Sequence, residues 1–284
     1  MRTSDGLGSL TSSRRKDSTM TLYATSADGT RIAYEEEGSG PPVIIVHGAM
    51  QFRAFDPTTA EMVTMLASHG FTVVNYDRRG RGESPADGPI TLAQTIDDLR
   101  AIIAAVTEGA DDAVALYGSS SGGAISLAAA ASGLPISKLV LWEVPLDEEL
   151  GSQGAEFLAG LRERIAAGDG DATIEYFMKD MPREWLEGAK ASGGWPIMTA
   201  LGPSLEPDSE ALEWTQSAPR AELWRDITQP TLALVGDETL DFMGPAADSI
   251  VAALPNAEKR VIPAADHTWE PRLMALTIAE FLVD

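Results

Sequence analysis

The chain contains no cysteine, so disulfides, thiolate nucleophiles and cysteine-based metal sites are excluded from the outset. Histidine is nearly as scarce. There are three, His47, His69 and His267, and no cluster of His with Asp or Glu at ligand spacing, so neither a metal nor any other cofactor is expected. Basic residues are few as well: 21 Lys and Arg stand against 43 Asp and Glu, a formal net charge of −22. That balance argues against nucleic acid or an anionic membrane surface as a partner. It leaves a small molecule in a pocket as the expected partner, and a homodimer is compatible with it. No run of 18 apolar residues occurs, so no membrane span is expected. Residues Met1 to Ser18 are polar, carry Arg14-Arg15-Lys16 and lack an apolar segment of signal-peptide length. They are expected to be a disordered leader, and the protein to be cytoplasmic.

What is present is an ordinary globular composition, 44% apolar, in a chain of 284 residues that is long enough for one full core. Thr21–Thr25 and Arg31–Glu36 alternate in polarity around the turn signal Ala27-Asp28-Gly29-Thr30, which predicts an antiparallel hairpin. Continuous apolar strands are expected at Val43–Val46, Phe71–Tyr76, Ala113–Gly118, Lys138–Trp142, Thr231–Val235 and Lys259–Pro263. Helical patterns at Thr59–His69, Leu92–Val106, Gly122–Ala131, Ala246–Leu254 and Pro271–Leu282 fall between or after them. This repeating register predicts an α/β fold with a mostly parallel, eight-stranded sheet covered on both faces. From Val144 to about Asp226 the register is lost to helix-like pieces, Ala155–Ala167, Asp171–Met178 and Ser209–Ser217, broken by Gly and Pro. So long a connection predicts an inserted helical cap, residues 146–226, between core segments 19–145 and 227–284.

The organising stretch is Tyr117-Gly118-Ser119-Ser120-Ser121-Gly122-Gly123, where a strand meets a helix. A sharp strand-to-helix corner strains its central residue and requires small neighbours. It would hold the Ser120 hydroxyl at a helix N-terminus, where N–H groups and the dipole favour negative charge. A serine becomes a competent nucleophile only when a neighbour takes its proton. His267, in a loop after a late strand, is expected on the same side of the sheet and is the candidate base. His69 precedes a helix-ending glycine and reads as a solvent-facing residue at the dipole's negative end.

With these anchors, together with His47-Gly48 and the loop Asp77-Arg78-Arg79-Gly80-Arg81-Gly82-Glu83-Ser84, the chain from Thr21 to Asp284 resembles the α/β-hydrolase superfamily. The resemblance implies an oxyanion hole from the backbone N–H groups of Ala49 and Ser121, a loop-shaping role for His47, and a structural role for the arginine loop. The usual acid position, three residues beyond Gly236, holds Thr239. Three carboxylates remain open as the triad acid. Glu143 is preferred: it ends an apolar strand beside the elbow strand, where an unpaired carboxylate would be costly. Asp241 and Asp237 are the alternatives. Zearalenone-type lactone hydrolases look similar here, with a serine-rich elbow and a Glu followed two residues later by proline.

The expected activity is therefore cleavage of a carboxylic ester or lactone through an acyl-enzyme. Met50 and Phe52 are candidates for the acyl side of the pocket, and Trp185, Trp195 and Trp214 for an apolar roof. Perhydrolase or haloperoxidase chemistry, hydroxynitrile cleavage and a non-catalytic ligand-binding role remain alternatives on the same scaffold.

Overall fold

The computed structural model describes residues 20–107, 109 and 112–284; the expected leader lies outside the described residues. In chain order the core begins with β1 (Leu22–Thr25), β2 (Arg31–Gly38), β3 (Pro42–Val46), α1 (Pro57–Ala67), β4 (Thr72–Tyr76) and α2 (Leu92–Val106). It continues with β5 (Val114–Ser119), α3 (Ser121–Ala131) and β6 (Ile136–Trp142). Six helices follow without a strand: α4 (Gln153–Ala167), α5 (Gly170–Phe177), α6 (Arg183–Ala191), α7 (Trp195–Ala200), α8 (Glu206–Trp214) and α9 (Arg220–Leu223). The chain then returns to the sheet with β7 (Thr231–Glu238), α10 (Met243–Ala253), β8 (Ala257–Ala265) and α11 (Pro271–Val283).

The eight strands form one sheet in the order β1-β2-β4-β3-β5-β6-β7-β8. β2 runs antiparallel to both β1 and β4, and every later pairing is parallel. Side-chain alternation sorts the central strands into two cores. Ile44, Leu116, Leu139, Leu141 and Ala233 face α2, α3 and α10. Val43, Ile45, Val140, Leu232 and Leu234 face α1 and α11. Burial on both faces is why these strands read as unbroken apolar runs rather than alternating ones.

The inserted helices form a cap with a small core of its own, built on Leu161, Ile174, Phe177, Met178 and Leu205. Two of them, α6 and α7, bury no residue completely. The helix α8 differs: Asp208, Ser209 and Ala211 are fully buried where it packs over α3. No helix among the described residues is long and apolar enough to cross a membrane.

Candidate active site

Parallel pairing brings the chemistry to one edge of the sheet. Ser119 of β5 pairs with Trp142 of β6, so the next residues, Ser120 and Glu143, emerge side by side. The Ser120 N–H donates to the Trp142 carbonyl at 2.8 Å, and the Glu143 N–H donates to Leu234 at 3.0 Å. His267 follows the end of β8, two strands beyond β6. Ligand sites of open parallel sheets lie beyond these carboxyl ends.

Backbone strain is concentrated here. Six described non-glycine residues have positive φ, and five of them, Met50, Ser120, Glu143, Asp266 and His267, belong to the loops of this site. Ser120 itself sits at φ 55°, ψ −126°, immediately before α3. Such conformations cost roughly 1–3 kcal/mol each and persist only where the surroundings impose them. The flanking glycines show how. A Cβ on Gly118 would lie 2.7 Å from the Gly123 Cα, and one on Gly122 would lie 2.2 Å from the Val46 carbonyl oxygen.

Glu143 is 2% exposed. Its Oε2 accepts from His267 Nδ1 at 2.5 Å, and its Oε1 accepts from the Gly236 N–H at 2.9 Å. Burial pushes its pKa up, but the bonds from His267 and Gly236 outweigh burial and hold the carboxyl below its ordinary value. With Nδ1 donating to a carboxylate, the neutral imidazole keeps Nε2 as an acceptor. The other two acids do not reach His267. Asp237 accepts from the Ala264 N–H at 2.9 Å, and Asp241 is exposed. Among the described residues the Ser120 hydroxyl has no hydrogen-bond partner, a common state of apo sites whose contacts tighten with substrate.

Beside Ser120 lies a cavity of about 500 Å³. Its floor includes Ala49, Ser120 and Ser121; at the end of the β3 loop and the start of α3, the backbone N–H groups of Ala49 and Ser121 have no acceptor among the described residues. Its walls are Phe157, Tyr176, Phe177, Met181 and Leu212 of the cap, with Phe242 from the core. None of the five residues expected to line the pocket borders this cavity. Met50, Trp185 and Trp195 pack on the cap core, Trp214 packs on the main core, and Phe52 stacks on Phe55 at 5.5 Å. Trp185 and Trp195, large apolar groups of the cap, pack on its small core, while Trp214 joins the core beneath it. Trp185 is still near the chemistry: its ring stacks over His267, centroids 6.4 Å apart and planes 20° apart.

His47 is buried, donates from Nε2 to Asn75 Oδ1 at 2.6 Å, and is kept neutral by burial, which lowers its pKa. It shapes the loop and does not face the cavity. His69 is exposed just beyond α1. The arginine loop is tied down by Asp77, which accepts from the N–H groups of Arg53 and Glu83. Its three arginines do more than close their own turn. Arg79 pairs with Asp98 and Asp28, while Arg78 and Arg81 both reach Asp208 of the cap helix α8. Asp208 escaped sequence reasoning because its partners lie about 130 residues away with no local pattern to join them. The one available signal was two arginines, three apart, in a loop beside a buried elbow. No group of three or more His, Cys, Asp or Glu side chains among the described residues is arranged to hold a metal.

Comparison with known proteins agrees with this architecture. A profile described as the alpha/beta hydrolase family matches residues 43–277. An alpha/beta hydrolase from Sphaerobacter thermophilus superposes with a TM-score of 0.80 at 32% identity, covering 92% of this chain and all of that one. An esterase from Exiguobacterium antarcticum shares the fold at a TM-score of 0.70 and 19% identity, covering 93% of this chain and 100% of the other. Among curated sequences, a non-heme haloperoxidase from Rhodococcus erythropolis is 26% identical over 86% of this chain and 92% of its own length. A non-heme chloroperoxidase from Streptomyces lividans is 39% identical over 35% of each chain. On the profile match and the Sphaerobacter relative, the chain belongs to the alpha/beta hydrolase family.

Proposed function

We propose that the protein is a serine-dependent acyl-transfer enzyme of the 19–145 and 227–284 core, roofed by a 146–226 cap, that takes apolar esters or lactones as acyl donors. The observation that carries this reading is the 2.5 Å bond between His267 Nδ1 and Glu143, made beside a strained elbow serine that borders an apolar cavity. Ser120 attacks the substrate carbonyl carbon as His267 Nε2 takes its proton. Glu143 holds the ring in the competent tautomer and stabilises the imidazolium. The N–H groups of Ala49 and Ser121 receive the oxyanion, and each such donor is worth on the order of 3 kcal/mol in the transition state. The imidazolium returns its proton to the departing alcohol, leaving Ser120 acylated. An acceptor HX, deprotonated by His267, then attacks the acyl carbon and restores the Ser120 hydroxyl.

Water as acceptor yields an acid, and hydrogen peroxide yields a peracid that oxidises halide in solution. The kinship with non-heme haloperoxidases favours peroxide as an acceptor alongside water. The two are read out together by incubating the wild-type protein with a p-nitrophenyl ester or an aliphatic lactone, with and without peroxide and bromide. Peracid-dependent bromination that vanishes in Ser120→Ala supports acyl transfer to peroxide. Ester turnover indifferent to peroxide leaves a hydrolase. A fluorophosphonate should label wild-type Ser120 and fail on Ser120→Ala. No labelling and no turnover overturn the enzymatic reading in favour of a ligand-binding role.

A further inference from the structure

Asp208 lies in the cap, yet its fully buried carboxylate is bonded directly to Ser121 and, through two arginines, linked to the loop that carries Ala49. On one side Ser121 Oγ donates to Asp208 Oδ1 at 2.6 Å. The N–H of this same Ser121 opens α3 beneath the cavity. On the other side Asp208 accepts from Arg78 Nη1 and Arg81 Nη2, each at 2.6 Å. Those two guanidiniums continue into the β3 loop. Arg78 Nη1 donates to the His47 carbonyl at 3.1 Å, and Arg81 Nη1 donates to the Gly48 carbonyl at 2.5 Å. The second contact matters most. The Gly48 carbonyl and the Ala49 N–H belong to one planar trans peptide, so they point in opposite directions. Anchoring the oxygen on Arg81 therefore aims the N–H away from it, to the cavity side that Ala49 borders. A charged donor on the carbonyl also polarises that peptide and strengthens its N–H as a donor.

We infer that Asp208 is a positioning residue for the oxyanion hole, setting Ser121 directly and the Gly48–Ala49 peptide through Arg81, so that seating the cap helix α8 completes the site. The inference rests on the acyl-transfer reading for its kinetic consequence, but not for its structural one. The arrangement is otherwise hard to account for. Two arginines and one aspartate leave a net positive charge buried at the elbow, and a purely structural seam between cap and core would be made more cheaply by apolar residues. Next to a developing oxyanion, the same surplus charge is useful.

Two variants and two readouts test this. Asp208→Asn keeps the shape and removes the charge. Ser121→Ala keeps the backbone N–H and leaves the Asp208–arginine pairs intact, so it decides the question if Asp208→Asn does not fold. With a p-nitrophenyl ester, Asp208→Asn should lower kcat about 10- to 100-fold with KM within threefold, and Ser121→Ala should lower kcat about threefold or more. A merely structural seam would change the melting temperature and leave kcat alone. Independently of turnover, the amide NMR resonances of Ala49 and Ser121 should move in Asp208→Asn, and that of Ser121 in Ser121→Ala, while amides of β7 and α10 stay in place. A wild type that fails to turn over any ester sinks the acyl-transfer reading and leaves the amide shifts to decide this one. Folded variants with kcat within twofold of an active wild type, or an Ala49 amide indifferent to the loss of the Asp208 charge, overturn it.

Discussion

Glu143 serves two donors at once, and this makes its replacements unequal. In Glu143→Gln the amide has one acceptor oxygen, and the Gly236 N–H claims it at the position of Oε1. The amide NH₂ is then turned toward His267 Nδ1, which must become an acceptor, so the neutral ring carries its proton on Nε2. That tautomer cannot take a proton from Ser120. Glu143→Gln should accordingly lower kcat by roughly 10³–10⁴, at least as much as Glu143→Ala. Asp237→Ala and Asp241→Ala should stay within a fewfold of wild type in the same ester assay. The pH dependence follows from the direction of the shift. The folded-state pKa of Glu143 is depressed by the His267 and Gly236 bonds despite burial. The carboxylate's contribution is thus fully present above the unfolded value, roughly pH 4, and lost as pH falls through the folded one. Asp208, depressed by Arg78 and Arg81 against its own burial, adds to the loss in the same sense. Calorimetric melting temperatures should fall steeply below about pH 4, less steeply in Glu143→Gln.

Among the elements, α3 and α6 place opposite demands on a glycine. A Cβ at Gly122 meets backbone oxygens of Val46 and His47 at 2.2 and 2.6 Å, and neither can yield without moving β3 or the loop that follows it. Gly122→Ala should cost about 3 kcal/mol, read from urea midpoints. Gly188, exposed inside α6, has nothing within 4 Å of its missing Cβ. Gly188→Ala should stabilise by about 0.5–1 kcal/mol. The same contrast explains what the sequence disclosed. The elbow was legible because its close packing forces Gly at 118 and 122, and the central strands because two-sided burial makes them continuous apolar runs. In the cap, α6 and α7 went unpredicted because they span only nine and six residues and bury no residue completely. Which residues wall the cavity was not legible for a related reason. Size picks out tryptophan, but which face of a short helix meets the cavity depends on how α4, α5 and α8 pack, and that is settled between elements. The salt-bridged pair of arginine loop and α8 lies beyond local pattern altogether.

The whole molecule carries its acid excess up to the entrance of the site. The net charge is −22. Asp147, Glu156 and Asp180 border the cavity with a single cation, Lys179, already paired with Asp180. The arginines nearest the elbow give no compensation outward, since Arg78 and Arg81 are buried against Asp208 and Arg79 is taken by Asp98 and Asp28. An anionic ester must therefore approach through a negative field, whereas a neutral one of the same length feels none. At low ionic strength kcat/KM for a hemisuccinate-type ester should fall on the order of tenfold below that of its neutral analogue. Because the Debye length shrinks from about 30 Å at 0.01 M salt to about 6 Å at 0.3 M, the gap should close severalfold across that range, with kcat/KM for the neutral ester nearly flat. Parallel salt titrations of the two esters check this. An anionic ester turned over as fast as the neutral one at low salt, or equal salt slopes for both, would mean that the surface charge does not reach the cavity.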